Sequence, residues 1–145
     1  MGTDAIRGSC LCGGIRFEVT GEPLTMAYCH CSRCRKAGGI ANVMVRAKDF
    51  RWTQGRELVS TYKPEPPWNL IRSFCKVCGT YLGEPETHPE VFTISAHAFD
   101  DDPRVRPVLH EQVASKPPWY ELTDGLPEHN KEPPLSAFFA DKSND

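Results

Sequence analysis

The chain has 145 residues, a formal net charge of −2, and seven cysteines among thirteen prolines and eleven glycines. A chain of this length can bury a core of its own, so we expect one domain that does not depend on metal alone to fold. The slightly negative charge disfavours nucleic acid as a partner, because proteins that contact phosphates usually present a basic face.

Alternation of apolar and polar residues predicts an all-β domain of short strands. Ile15, Phe17 and Val19 alternate with polar residues, and the glycine and proline that follow end this strand. Prolines at 64, 66 and 67 predict a loop, since proline lacks the backbone donor of a sheet. Further strands are predicted at 24–31, 41–46, 57–62, 69–74, 91–96 and 105–112, with one helical turn at 34–38.

The chain divides into a flexible N-terminus at 1–7, one domain at 8–127 and a surface tail at 128–145. The tail has few apolar residues before Phe138 and Phe139. We expect these rings to pack against the domain, because apolar side chains are usually buried. Docking of the two rings on a partner protein is the alternative.

The N-terminal residues lack the apolar segment of a signal peptide, and no apolar run reaches the roughly 18 residues that a membrane span needs. We therefore expect a cytoplasmic protein that does not enter membranes. An odd number of cysteines cannot pair completely within one chain. Many cysteines without a secretion signal indicate metal ligands in a reducing compartment.

The cysteines fall into three clusters that predict two zinc ions with different roles. Cys-Leu-Cys-Gly-Gly at 10–14 and Cys-Lys-Val-Cys-Gly at 75–79 each bring two thiolates close together, and the second is a zinc-knuckle signature. Structural zinc sites are closed by four ligands. The two pairs therefore predict a structural site formed by Cys10, Cys12, Cys75 and Cys78.

The middle cluster supplies three cysteines, Cys29, Cys31 and Cys34. In an extended backbone Cys29 and Cys31 face one side and His30 the other, which places His30 badly as a fourth ligand. Three protein ligands with an open position are typical of catalytic zinc. The alternatives are a second structural zinc, with a distant histidine or aspartate as its fourth ligand, and a redox switch of close thiols.

Three cations, Arg33, Arg35 and Lys36, follow in the same segment. They form either a solvated turn or a site that binds the carboxylates of an acidic substrate.

Motifs along most of the chain resemble the glutathione-dependent formaldehyde-activating enzyme family, which includes centromere protein V. The similarity lies in the motifs at 10–14 and 75–79, in Cys-His-Cys-Ser-Arg-Cys at 29–34, and in Ser-Lys-Pro-Pro-Trp-Tyr at 115–120. The resemblance implies a β-tent fold of small antiparallel sheets with two zinc ions. It implies a structural ion on the four cysteines and a catalytic ion on Cys29, Cys31 and Cys34.

The family's activity implies that glutathione, or a similar thiol, condenses with formaldehyde to an S-hydroxymethyl adduct, which is a carbon–sulfur lyase reaction run in reverse. The three cations would then hold the glutathione carboxylates. His110 is a candidate for proton transfer, with a packed strand histidine as the alternative. Trp119 either lines the substrate pocket or packs in the core.

Two other functions stay open on the sequence. The same open zinc site could act on another thiol adduct, and the chain could be a zinc-binding interaction module without catalytic activity.

Overall fold

The structure is a computed structural model that describes residues 4–139. Ten short strands and one α-helix in this part confirm the predicted all-β class. The strands are β1 (Ile6–Ser9), β2 (Arg16–Val19), β3 (Thr25–Cys29), β4 (Ala41–Arg46), β5 (Phe50–Gln54), β6 (Val59–Tyr62), β7 (Arg72–Cys75), β8 (Tyr81–Gly83), β9 (Val91–Ser95) and β10 (Pro107–Glu111). Helix α1 covers Ser32–Ala37, and short 3-10 turns cover Ala47–Asp49, Arg56–Leu58, Ala96–Ala98, Val113–Ser115 and Leu135–Phe139.

The strands form two sheets. The smaller has the order β1-β2-β5 and is antiparallel throughout. The larger has the order β10-β3-β4-β9-β8-β7-β6, in which β10 runs parallel to β3 and the other pairs are antiparallel. The parallel pair brings the end of β10 beside the end of β3, where the middle cysteine cluster begins.

One apolar cluster joins the two sheets. Phe17 of β2 lies at its centre, with its ring centroid 5.4 Å from those of Phe50 and Phe99. Alternation in β4 turns Val43 and Val45 toward the same cluster, as the sequence predicts. A Cβ atom on Gly8 would lie 2.1 Å from the Phe17 ring, so β1 needs glycine at this position.

The last described segment packs against the larger sheet. Phe138 is buried in a second apolar cluster with Ala27 and Leu109, and its carbonyl accepts a hydrogen bond from the Thr25 hydroxyl at 2.8 Å. Phe139 remains 39% exposed. Phe138 therefore docks on the domain of its own chain, which is the interpretation favoured by the sequence.

The predicted flexible N-terminus and surface tail include residues 1–3 and 140–145, which lie outside the described residues. Residues 6 and 7 of the predicted N-terminal segment belong to β1, and Ile6 is fully buried. The predicted domain boundaries at residues 8 and 127 otherwise stay a prediction. From residue 4 to residue 139, no helix is both long enough and apolar enough to cross a membrane.

Candidate metal centres

The loop that follows β1, the end of β7 and the turn after it bring four cysteines together. The Sγ atoms of Cys10, Cys12, Cys75 and Cys78 all lie within 4.8 Å of one another. The Sγ of Cys12 is 3.6 Å from that of Cys10 and 3.8 Å from that of Cys75. Four sulfurs placed tetrahedrally at about 2.3 Å from a zinc ion are about 3.8 Å apart, so this cluster fits the ion.

Hydrogen bonds point at the sulfurs of this four-cysteine cluster. The backbone N–H of Ile15 donates to Cys10 Sγ at 3.2 Å, and that of Cys12 lies 3.4 Å from Cys78 Sγ. The Thr80 hydroxyl is 3.3 Å from Cys78 Sγ, and hydrogen bonds from the Thr80 side chain and backbone help to lower the pKa of this thiol to about 5. The Gly14 N–H acts to lower the pKa of Cys12, but contact with the Cys10 sulfur outweighs it and raises that pKa to about 11. Such donors favour the thiolate form, which is the form that binds metal.

A second cluster forms where β3 leads into α1. The Sγ atoms of Cys29, Cys31 and Cys34 lie within 4.8 Å of one another. Cys31 caps α1, because its sulfur accepts a hydrogen bond from the Cys34 N–H at 3.3 Å. Hydrogen bonds with Cys29 and Cys34 lower the pKa of the Cys31 thiol, and the hydrogen bond with Cys31 raises the pKa of the Cys29 thiol. The predicted division of the seven cysteines into four and three is therefore present in the fold.

The side chain of His30 takes part in a separate hydrogen-bonded chain. His30 Nε2 is 2.8 Å from His110 Nδ1, and His110 Nε2 is 2.9 Å from a carboxylate oxygen of Asp124. A carboxylate only accepts, so His110 donates from Nε2. In a neutral His110 imidazole, Nδ1 then accepts a hydrogen bond from the His30 Nε2–H. The bond from His110 lowers the pKa of Asp124, and burial lowers the pKa of His30.

The hydrogen bonds of His30 direct its ring away from the three-cysteine cluster, so it does not act as a fourth ligand there. Within residues 4–139, no histidine nitrogen or carboxylate oxygen joins the three sulfurs of the second cluster at ligand distance. The second cluster thus offers three protein ligands where the first offers four.

The three cysteines line a cavity of about 370 Å³. Leu70, Phe92 and Phe138 form part of its apolar wall. The polar wall includes Glu111, whose burial raises the pKa of its carboxyl to about 7. A carboxyl of this kind can exchange a proton near neutral pH.

Arg72 forms another part of this wall and is only 6% exposed. Its Nη1 lies 3.7 Å from Cys34 Sγ, 2.7 Å from the Tyr81 hydroxyl and 3.2 Å from a carboxylate oxygen of Glu84. Burial acts to lower the pKa of the guanidinium, but these neighbours outweigh it and raise the pKa. Arg72 is therefore a permanent positive charge beside the sulfurs.

A groove of about 580 Å³ adjoins the cysteine cavity on the side of α1. The groove and the cavity share four lining residues, Arg33, Leu70, Arg72 and Glu132. The Arg33 guanidinium lies over the Trp68 ring at 3.4 Å from its centroid, and Lys36 also lines the groove. Two of the three predicted cations therefore line this groove, and Arg33 lines the cysteine cavity as well.

Other predicted site residues lie elsewhere. Arg35 is exposed and lines neither space. His110 is buried behind His30 and lines neither space, as expected of a packed strand histidine. Trp119 is 79% exposed, so it neither walls the cavity nor packs in the core. The neighbouring Tyr120 packs against His30 instead, with ring centroids 5.6 Å apart.

Comparison with known proteins agrees with this geometry. The sequence profile described as glutathione-dependent formaldehyde-activating enzyme matches residues 5–115. The chain belongs to this family. Membership of the glutathione-dependent formaldehyde-activating enzyme family connects the protein with glutathione and formaldehyde chemistry, and confirms the resemblance seen in the sequence.

A solved structure shows a similar fold. The crystal structure of a Rhodobacter sphaeroides protein, a structural genomics target, is 27% identical in sequence. It superposes with a TM-score of 0.56, and the match covers 70% of this chain and 92% of that chain.

Proposed function

We propose that the protein condenses glutathione, or a similar thiol, with formaldehyde at the three-cysteine cavity. One observation carries this proposal: three sulfurs with no fourth protein ligand in the described residues line a cavity, whereas the other cluster has its four sulfurs together. Family membership supports the choice of thiol and aldehyde.

Both clusters suit zinc, because thiolate sulfur is its common protein ligand. Cys10, Cys12, Cys75 and Cys78 would hold a structural ion, and Cys29, Cys31 and Cys34 would hold a catalytic one. An ion bound by three thiolates would favour the thiolate form of a substrate thiol near neutral pH and polarise a carbonyl oxygen.

The condensation needs no oxidant and no reductant. The S–H bond of the thiol breaks, a bond forms between sulfur and the aldehyde carbon, and the carbonyl electron pair moves onto oxygen. That oxygen takes up a proton, which gives the S-hydroxymethyl product. The cavity residues position the two reactants, and such positioning supplies a large part of the rate in reactions of two molecules.

The body of the thiol would extend from the cavity into the adjoining groove. Arg33 and Lys36 provide the positive charge there that glutathione carboxylates require, and the Trp68 ring holds the Arg33 guanidinium in place. Arg35 was predicted to share this role, but its exposure on the far side of the helix makes it the natural control.

His110 would hold His30 in place and, through it, the backbone between Cys29 and Cys31. Proton transfer by His110 stays a prediction of the sequence: its ring nitrogens bond to His30 and Asp124, and neither of these residues lines the cavity. We also propose a reducing compartment such as the cytoplasm, because all seven cysteines are free thiols.

The rate at which glutathione and formaldehyde combine, followed by NMR exchange spectroscopy, tests the proposed reaction. Zinc-loaded protein is expected to raise this rate above the uncatalysed value, and the Cys31→Ser variant is expected to return it to background. A rate that wild-type protein leaves unchanged would remove the proposed substrates. A panel of other thiols would then test the same site for another adduct.

The groove can be tested in the same assay. Arg33→Ala is expected to raise KM for glutathione about tenfold or more, because a charge-assisted hydrogen bond is lost. It should leave KM for 2-mercaptoethanol, which has no carboxylate, nearly unchanged. Arg35→Ala serves as the matched control and should alter neither value. Equal effects of the two variants on glutathione would contradict the assignment of the groove.

A further inference from the structure

A buried arginine lies directly behind one sulfur of the three-cysteine cluster. Arg72 begins β7, is 6% exposed, and places Nη1 at 3.7 Å from Cys34 Sγ. A charge buried to this degree is costly unless partners of opposite charge or hydrogen-bond acceptors compensate it. The cysteine sulfur is one such partner when it is a thiolate.

The guanidinium is held in one orientation by side chains from the neighbouring strands. Its Nη1 donates to the Tyr81 hydroxyl at 2.7 Å and lies 3.2 Å from Glu84 Oε2. The other carboxylate oxygen of Glu84 accepts a hydrogen bond from the Thr93 hydroxyl at 2.9 Å. Tyr81 and Thr93 belong to β8 and β9, so the sheet itself aims Arg72 at Cys34.

Charge balance explains why a cation is useful at this place. Three thiolates carry one more negative charge than a zinc ion neutralises, and a fourth thiolate from substrate would add another. Glu84 and Glu111 also line the cavity and add to the negative potential when they are ionised. A positive charge a few ångströms from sulfur lowers the energy of every one of these anionic states.

We propose that Arg72 is a positioning residue of the three-cysteine site: it holds the Cys34 sulfur toward the cavity and offsets the thiolate charge, and thereby keeps the metal bound. This inference rests on the proposed zinc site at that cluster. The competing account is that Arg72 and Glu84 form a purely structural ion pair between β7 and β8.

Zinc affinity separates the two accounts, because the four-cysteine cluster is an internal reference in the same molecule. We would measure wild type, Arg72→Met and Arg72→Lys by competition with a chromophoric chelator, and record visible spectra of the cobalt-substituted proteins. Arg51→Met is the matched control, since Arg51 pairs with Glu18 on the exposed face of the smaller sheet.

Arg72→Met is expected to weaken zinc binding at one site about 10- to 100-fold, the usual effect of removing a group that supports a metal ligand, and to leave the other site unchanged. The spectrum of the cobalt protein should change at that site alone. Arg72→Lys keeps the charge without the planar fork and should lose less affinity. Arg51→Met should match wild type at both sites.

Unchanged affinity in Arg72→Met would overturn the inference. Equal weakening of both sites would also overturn it, because a general loss of structure would then explain the result. An equal loss in Arg72→Lys and Arg72→Met would show that positive charge is not what matters. Wild-type protein that binds two zinc ions without condensing glutathione and formaldehyde would remove the proposed function and leave this inference intact.

Discussion

His30 lies between two cysteines of the proposed metal site, and its side chain is held in a hydrogen-bonded chain with His110 and Asp124. Cys29 and Cys31 flank His30, and the alternation of an extended backbone turns their sulfurs away from its ring. Both imidazoles are nearly fully buried, and His30 Nε2 and the two ring nitrogens of His110 all have hydrogen-bond partners. These hydrogen bonds therefore hold the backbone that carries the sulfurs of Cys29 and Cys31.

His110→Leu is expected to lower the free energy of unfolding by about 1–3 kcal/mol, because the buried N–H of His30 loses its acceptor. Denaturant unfolding of the zinc-saturated protein would measure this. His97→Leu is the control, since His97 is exposed and its replacement should change stability by no more than about 0.5 kcal/mol. If the two variants were equally stable, the hydrogen bonds among His30, His110 and Asp124 would have no structural role.

The C-terminal 3-10 turn at Leu135–Phe139 completes the site as well as the core. Leu135 and Phe138 line the cavity that the three cysteines share, although they follow Cys34 by about a hundred residues in sequence. The turn packs on Ala27 of β3 and Leu109 of β10, which is the parallel pair next to the cysteines. The segment thus joins the cavity wall to the sheet.

Phe138→Ala should destabilise the protein by about 3 kcal/mol, as expected when a buried phenylalanine is removed. Phe139→Ala alters the adjacent ring, which is 39% exposed, and should cost less than about 1 kcal/mol. Thermal unfolding of both variants measures the difference. A larger loss for Phe139 than for Phe138 would mean that the turn docks through its other ring.

Some strands could be predicted from the sequence and others could not. In β2 and β4 one face is buried, so apolar and polar residues alternate visibly. Strand β8 is buried on both faces and has three residues, and β1 contains Gly8, so neither shows a clear pattern. Strand β5 carries an alternating signal in Phe50 and Trp52, which is typical of a strand with one buried face.

Some residues of the candidate site could likewise be predicted from the sequence, and others could not. The cysteines were predictable because metal ligands follow local spacing rules, and a turn places them. Arg72 and Glu84 were not, because their pairing depends on the register of β7, β8 and β9 rather than on spacing along the chain. Trp119 was wrongly expected to be enclosed, and its 79% exposure shows that an aromatic residue alone is a poor guide to burial.

The two cysteine clusters occupy different places in the architecture. The four-cysteine cluster connects the loop after β1, in the smaller sheet, with β7, in the larger one, and so cross-links the two sheets. The three-cysteine cluster belongs to one segment of the larger sheet and opens on the cavity. Strand β7 reaches both, since Arg72 contacts Cys34 and Cys75 belongs to the other cluster.

If one cluster holds a structural zinc ion and the other a catalytic one, loss of each ion should have a different consequence. Zinc in the four-cysteine cluster would restrict a long stretch of unfolded chain and contribute strongly to folding. Zinc in the three-cysteine cluster would be needed for the reaction, while the fold could persist without it because the surrounding sheet has its own core.

Zinc content of the Cys31→Ser variant, measured by elemental analysis alongside circular dichroism, tests this division most directly. Wild type is expected to hold two zinc ions per chain. The variant is expected to hold one and to keep the wild-type spectrum. Retention of both ions, or loss of both together with the fold, would contradict a structural site of four cysteines beside a catalytic site of three.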